Sequence, residues 1–502
     1  MIRAYRAADV RAAEQPLLDA SEPLMERASG ALAIAVARLM GGTYGRRALV
    51  LAGAGNNGAD ALYAGAWLAR RGMNVAGLLA GDVHAQALAA AERAGVRTVV
   101  LNEAAGPDAV VGLDEPNGLN DAAGLNDAAS EVAETAARAD VWIDGLLGIG
   151  ARGGLREPLA GHVRRLNAMR AGQKVVAVDV PSGIGVDDGT VEGPVLAADL
   201  TVTMGAPKPG LYLEPARRYV GRVETCDIGL TFEGEPALVI LQREDAERLV
   251  RVPGPDSHKY TRGVVGIMAG SERFPGAGFM CVDAALATGP GMVRYAGTRF
   301  LAQRMVDRHP ECVLGDGRVD AWVLGPGIDM DDDRAASEVA RRLQLALTEQ
   351  IPVVLDAGAI ALATRVECSE RVVLTPHAGE IAALLTSLGE ATSRADVEAA
   401  PARAARLAAT ITGATVVLKG AVDIACTADG PLHAQSGPAW RATAGAGDVL
   451  AGILGTFLAQ SIAPVRAAAL AAYVHGLASP AGPARATDIA ARIPRVLAEL
   501  AS

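Results

Sequence analysis

The chain has 502 residues, 50% of them hydrophobic and 21% charged, enough to bury the cores of two domains and too apolar for extensive disorder. Aromatic residues make up only 3% while glycines number 58, a profile of closely packed Ala, Val and Leu with many tight turns that favours α/β architecture. Lys+Arg 47 against Asp+Glu 57 gives a net charge of −10, so no nucleic-acid partner is expected, although a local phosphate site stays open.

In chain order, Ala7 to Met40 reads as one or two helices, and the opening Met1–Arg6 lacks the apolar core of a secretory leader. Arg47–Leu51 is a strand that runs into the loop Gly53-Ala54-Gly55-Asn56-Asn57-Gly58, followed by a helix from about Ala59 to Arg70. Further strands are expected at Asn74–Leu79, Arg97–Leu101, Val141–Ile143, Lys174–Val178, Leu200–Met204 and Gly221–Cys226. Short apolar strands alternating with helices predict a parallel sheet covered on both faces. A tandem hexamer, Gly118–Ala123 repeated as Gly124–Ala129, reads as a surface loop expansion without assigned function. Between Phe232 and Pro255 the chain changes character, with a charged helix from Gln242 to Arg251 closed by Pro253-Gly254-Pro255. That places a boundary between domains 1–235 and 236–502. A second series follows, with strands at Gly263–Ala269, Trp322–Leu324, Val353–Leu355, Val372–Leu374 and Thr415–Leu418.

The five cysteines are scattered and never in CxxC, so neither a disulfide framework nor a zinc ribbon is expected. No apolar run reaches the roughly 20 residues needed to span a bilayer. The expectation is a cytoplasmic protein with no membrane partner.

The motifs that carry chemistry lie where strands end. The loop GxGNNGxD opens a helix, a geometry that turns backbone N–H groups towards an anion. Alone, it reads equally well as an Asx-rich turn. Two further strand ends carry a carboxylate and a glycine turn: Asp144-Gly145-Leu146-Leu147-Gly148 and Asp179-Val180-Pro181-Ser182-Gly183. In the second half, Ala444-Gly445-Ala446-Gly447-Asp448 starts a helix, and small residues there let N–H groups converge on a phosphoryl group with Asp448 within reach of an attacking hydroxyl. Alone it reads as a glycine-rich helix start with a dipole-partnering Asp. Lys419-Gly420 and Thr375-Pro376-His377-Ala378-Gly379-Glu380 stand at two more strand ends. His377 by itself is more often structural, and Glu380 more often a helix cap.

GAGNNGAD, DGLLGIGARGGLREP, VVAVDVPSG and ADLTVTMGAPKPGL, in this order, resemble the NAD(P)H-hydrate epimerase family over residues 1 to about 230. The resemblance implies a Rossmann-like, doubly wound sheet that interconverts the R and S forms of hydrated NAD(P)H. It implies contacts to the dinucleotide from Asn56, Asn57, Gly58, Ala59 and Asp60, and from Gly148, Ile149, Gly150, Ala151, Arg152, Gly153 and Gly154. It further implies a potassium ion held by Asn57, Asp144 and Ser182, and Asp179 as substrate contact and proton carrier. Hard oxygen donors suit an alkali cation. Lys208 reads either as a phosphate contact or as a solvated loop lysine. Ala59 and Ala61 stand where the family usually has glycines.

HKYTRG, GSERFPGAGFMCVDAALATGPGMV, VLGPGID, VVLDAGAI, VLTPHAGE, VVLKG and ATAGAGDVLAGILG resemble the ribokinase-like ADP- or ATP-dependent NAD(P)H-hydrate dehydratase family from about 250 to 500. The resemblance implies a ribokinase-like α/β domain in which Ala277, Gly327, His377 and Asp448 contact the hydrate. Lys419, Gly420, Ala421, Val422, Asp423 and Gly447 would contact ADP (or ATP) with magnesium, and Asp448 would be the base. The chain departs from the family's pattern in three places: Gly358 replaces an Asp, Asp423 a small hydroxyl residue, and the stretch Pro438-Ala439-Trp440-Arg441 the usual NPGM. The combined expectation is a bifunctional repair enzyme acting on NADHX or NADPHX, and a homo-oligomer. The alternatives are a ribokinase-like small-molecule kinase with an accessory nucleotide-binding domain, and a domain reduced to a binding module.

Overall fold

A computed structural model describes residues 1–101, 110–112, 133–151 and 153–502. The hexamer repeat at 118–129 and Arg152 lie outside the described residues. The chain divides into two compact units, one of Ala4–Pro236 and one of Ala237–Ser502 together with Met1–Arg3.

The first unit is built on an eight-stranded sheet. Its order is Val110–Gly112, Arg97–Leu101, Asn74–Ala80, Arg47–Ala52, Val141–Gly145, Lys174–Val178, Leu200–Met204 and Arg222–Cys226. All neighbours are parallel except the edge strand Val110–Gly112. The central strands are buried along nearly their whole length because helices cover both faces. The chain winds outward from Arg47–Ala52 in one direction, then resumes with Val141–Gly145 on its other side. That reversal opens a crevice at the carboxyl ends of these two strands. The stretch from Ala7 to Met40 resolves into helices Ala7–Asp19 and Leu24–Met40.

The second unit carries an eleven-stranded sheet. From Val313–Leu314 through Met292–Tyr295, Val264–Met268, Ala321–Leu324, Val353–Leu355 and Val372–Leu374 to Thr415–Leu418 every pairing is parallel. Here the winding reverses between Val264–Met268 and Ala321–Leu324. Beyond Thr415–Leu418 two strands absent from the predicted series, Val422–Cys426 and Leu432–Ser436, are added antiparallel. These strands escape a hydrophobicity reading because Asp423, His433 and Gln435 interrupt them, yet all three are buried. The sheet ends with Leu238–Ile240 and Ile2–Ala4.

The loop-bearing helix of the first unit begins at Asn56, earlier than the predicted Ala59. Ala59 is therefore an ordinary buried helical residue, with no positive φ to strain it. Gly58 is needed instead, since a Cβ there would collide with the Gly53 carbonyl.

Strand Leu238–Ile240 pairs with Leu432–Ser436 and buries Leu238 (0% exposed) and Val239 (3% exposed). A fragment begun at Glu235 keeps this strand and one begun at Leu241 loses it. Each such side chain contributes roughly 1.5–3 kcal/mol of burial. The shorter fragment should therefore unfold at clearly lower denaturant concentration, as followed by circular dichroism. Equal midpoints would show that the strand is dispensable.

Candidate active sites

In the first unit, the strand ends beside the winding reversal draw the predicted residues together. Asp144, the penultimate residue of Val141–Gly145, is completely buried. Its Oδ1 accepts from Ser182 Oγ at 2.6 Å and from the Leu146 N–H at 3.3 Å, and its Oδ2 accepts from the Ser182 N–H at 2.9 Å. Asn57, also buried, donates its amide to the Val178 carbonyl at 2.6 Å and the Leu147 carbonyl at 3.2 Å. A side chain at Gly148 would strike the Asn57 amide. Burial raises the Asp144 carboxyl above the usual range, and the Ser182 and Leu146 hydrogen bonds pull against that rise. Among the described residues no lysine or arginine pairs with it. A buried carboxylate bonded to a hydroxyl and without a cationic partner is a hard-oxygen donor set of the kind a monovalent cation takes.

The Asp179 backbone takes φ +67°, a left-handed conformation uncommon outside glycine, Asn and Asp. That turn points its Oδ1 back at the neighbouring strand, where it accepts from Thr203 Oγ1 at 3.0 Å, from the Met204 N–H at 2.9 Å and from Lys208 Nζ. Both readings of Lys208 are corrected here. It is neither solvated nor free for phosphate, because it is 0% exposed and its ammonium is taken up by Asp179, Thr203 and the Met204 carbonyl. Asp60 is buried nearby with its Oδ1 unpartnered. Burial, then the charges of Asp179 and Glu14, raise its carboxyl well above the usual range. Glu14, on helix Ala7–Asp19, is raised by its own burial. The sequence reading gave this helix no place at the site, since its polar residues look like an ordinary solvated face.

In the second unit the cluster forms around Lys419. Its Nζ lies 2.7 Å from Asp356 Oδ1 and 3.9 Å from Glu380, and Thr375 Oγ1 donates to the same Asp356 oxygen at 2.7 Å. Burial works against the lysine's charge, but the carboxylates of Asp356 and Glu380 outweigh it and raise Lys419. A Cβ placed on Gly447 would stand 3.2 Å from Nζ, so this lysine faces the glycine turn. Gly445 takes φ +90° ahead of helix Ala446–Ala459, and Asp448 lies in the first turn of that helix. Burial, then the Asp356 charge, raise the Asp448 carboxyl to about 7, with Lys419 opposing. Asp356 had been visible only as part of a strand-end motif, but it bonds Lys419 and its charge also acts on Asp448.

His377 caps helix Ala378–Ser387 with Nδ1, and Glu380 accepts from its N–H at 2.8 Å. Its Nε2 lies 3.6 Å from Glu380 Oε1, and the side chain is 61% exposed. The structural role and the predicted contact are therefore compatible. Ala277 and Gly327 are in direct apposition beside the winding reversal, as a Cβ on Gly327 would collide with that of Ala277. Gly358 faces Met330, whose Cγ would lie 2.6 Å from an added Cβ. The other two departures meet one another: Arg441 Nη1 donates to Asp423 Oδ2 at 2.6 Å, both residues being buried. Asp423 thus does not project its charge freely at a phosphate. Burial raises its carboxyl, and Arg441 opposes that rise.

Residues 265–498 match the NAD(P)H-hydrate dehydratase family and residues 21–210 the YjeF-related protein N-terminus family. The bifunctional NAD(P)H-hydrate repair enzyme Nnr of Mycobacterium tuberculosis is 38% identical over 489 residues, covering 93% of this chain and 92% of its own. The enzyme of the same name from Mycobacterium leprae is 37% identical, over 95% of this chain and 93% of its own. Among solved structures, the ADP/ATP-dependent NAD(P)H-hydrate dehydratase from Bacillus subtilis, co-crystallised with ATP/Mg2+, superimposes with a TM-score of 0.45 at 24% identity. That superposition covers 52% of this chain and 97% of the other.

Lys208→Met leaves the Asp179 charge buried without its cation. Removing one member of a buried pair costs about 3–5 kcal/mol, so the first unit should lose that much stability in urea titration at neutral pH. A loss below about 1 kcal/mol would show that the pair is not coupled as the geometry indicates.

Proposed function

The chain belongs to the family of bifunctional NAD(P)H-hydrate repair enzymes, in which an epimerase is followed by a dehydratase, and we propose that each activity resides in the strand-end cluster of its own unit. The observation that carries this reading is the placement of Asp448: a carboxyl raised to about 7, in the first turn of a glycine-started helix, beside a lysine that faces the same turn.

In the dehydratase, the glycine turn Gly445–Gly447 and Lys419 receive the terminal phosphoryl group of ADP or ATP, with ADP our choice as co-substrate. Asp448 takes the proton of the hydrate's C6 hydroxyl as its oxygen attacks phosphorus. The bond to the leaving nucleotide breaks, giving AMP when ADP is the donor. The C6–O bond then breaks, with phosphate departing and the ring nitrogen supplying electrons, and loss of a C5 proton completes the reduced nicotinamide. Phosphate leaves where hydroxide would not. Ala277, Gly327 and His377 line the hydrate's side, and Lys419–Asp423 the nucleotide's. Among the described residues no cluster of three metal-ligating side chains occurs, so magnesium would be held chiefly through the nucleotide's phosphates, as it commonly is.

In the epimerase, Asp179 moves the C6 hydroxyl proton while its Oδ1 stays anchored by Lys208, Thr203 and the Met204 amide. That proton passes to N1 as the C6–N1 bond opens to an aldehyde, and returns to the oxygen as N1 recloses on the other face of the carbonyl carbon, so no atom is gained or lost. Asn56–Asp60 and the described part of Gly148–Gly154 line the approach. Asn57, Asp144 and Ser182 would hold potassium, which supplies positive charge to a buried carboxylate and fixes the loops around it.

The base must be ionised to act, so dehydratase kcat/KM should fall about tenfold per pH unit below about 7 and level off above it. Asp448→Asn should lower dehydration of pure S hydrate by about 10²–10⁴ with nucleotide affinity nearly intact, measured by nicotinamide absorbance and calorimetry. Retention of half the wild-type rate would reject Asp448 as the base. In the other half, replacing potassium by a bulky organic cation should lower the melting temperature of wild type, and Asp144→Asn should remove that dependence. A melting temperature indifferent to the cation would eliminate the ion site.

A further inference from the structure

Arg441 closes the short 3-10 turn Ala439–Arg441, which leads into the glycine turn at Gly445. Its guanidinium is 7% exposed and reaches back to the hairpin turn Lys419–Asp423. Nη2 donates to the Gly420 carbonyl at 2.7 Å and to the Ala421 carbonyl at 3.1 Å, while Nη1 holds Asp423. The other Asp423 oxygen accepts from the Gly420 N–H at 3.0 Å, closing the turn on itself. In the opposite direction, the Thr443 N–H donates to the Arg441 carbonyl at 2.8 Å and the Ala446 N–H to the Thr443 carbonyl at 3.2 Å. A continuous set of hydrogen bonds therefore runs from the hairpin turn, through Arg441, to the first residue of the helix that carries Gly447 and Asp448.

The two bonds to carbonyls have a directional consequence. A trans peptide is planar, with its C=O and N–H pointing opposite ways. Drawing the Gly420 carbonyl inward to Arg441 turns the Ala421 N–H outward, and Gly420 and Ala421 are both exposed. We propose that Arg441 is a positioning residue for the nucleotide: it aims the Ala421 N–H at a phosphate oxygen and holds it in fixed register with the glycine turn. Asp423 is the charge partner that lets a guanidinium be buried there. The inference rests on the reading of Lys419–Asp423 as a nucleotide contact and adds to it a residue outside that turn.

The test uses the full chain, with dehydration of S hydrate followed at varied ADP and, separately, ATP. Arg441→Lys keeps a charge for Asp423 but gives up the forked grip on two carbonyls. It should raise the nucleotide KM tenfold or more, with kcat at saturating nucleotide reduced less than threefold and the hydrate KM changed less than twofold. Arg441→Met combined with Asp423→Asn removes both buried charges together and should show the same split. If Arg441→Lys does not fold, as judged by its melting curve, the double variant supplies the readout. A wild-type nucleotide KM in either folded variant would overturn the proposal, as would equal losses in both KM values, which mark general loosening. Ala421→Pro separates the two readings, since it deletes the N–H itself. If that variant keeps the wild-type nucleotide KM, the turn does not hold the nucleotide. If it raises KM while the Arg441 variants do not, only the role of Arg441 fails.

Discussion

Both units place carboxylates at the carboxyl ends of buried parallel strands, and each charge withdrawn from water there must be met by a positive partner or by protonation. Asp179 has Lys208, Asp356 has Lys419 and Asp423 has Arg441. Asp144 and Asp60 have no such partner among the described residues, and Asp448 has one only at second hand. The sorting of these groups into paired and unpaired determines the chemistry each can perform. A paired carboxylate is held and oriented by its cation. An unpaired one gathers a proton or an ion.

Backbone geometry brings those carboxylates into place before any side chain acts. In each sheet the winding reverses once among the central strands, and the loops at that reversal diverge to leave a crevice. Asn57 and Asp144 flank the reversal in the first sheet, and Ala277 and Gly327 flank it in the second. Close approach then demands glycines. Gly58 lies against the Gly53 carbonyl, and Gly148 against the Asn57 amide. These contacts let the loops sit within hydrogen-bond range of one another without loss of packing.

The strands were legible where burial on both faces forces an unbroken apolar run, as at Lys174–Val178, Val353–Leu355 and Val372–Leu374. Strand Leu432–Ser436 was not, since a buried His433 and Gln435 look like a loop when read without their neighbours. For the sites, residues that stand at strand ends within a motif could be picked out, and Asp144 with Ser182 proved to be in direct contact. Lys208 was misjudged because nothing in a Pro-flanked loop lysine signals that the chain folds it beneath Asp179. Arg441 went unassigned for a similar reason. A departure from a familiar pattern reads as a defect one position at a time, and only the fold shows that Asp423 and Arg441 answer each other.

Asp179 and Asp448 are the same residue type in different surroundings, and burial is the first cause of the raised Asp448 carboxyl. Lys208 bonds Asp179 directly, and Thr203 and the Met204 amide reinforce the same oxygen. Near Asp448 the corresponding lysine, Lys419, is already bonded to Asp356, whose own charge then acts against ionisation of Asp448. Were Asp356 neutral, Lys419 would be free to favour the Asp448 carboxylate, and its affinity for a proton would fall. The Asp356–Lys419 pair therefore serves two ends at once. On the proposed mechanism it would keep a cation beside the glycine turn to meet phosphoryl charge, and would leave Asp448 basic enough to take a hydroxyl proton near neutral pH.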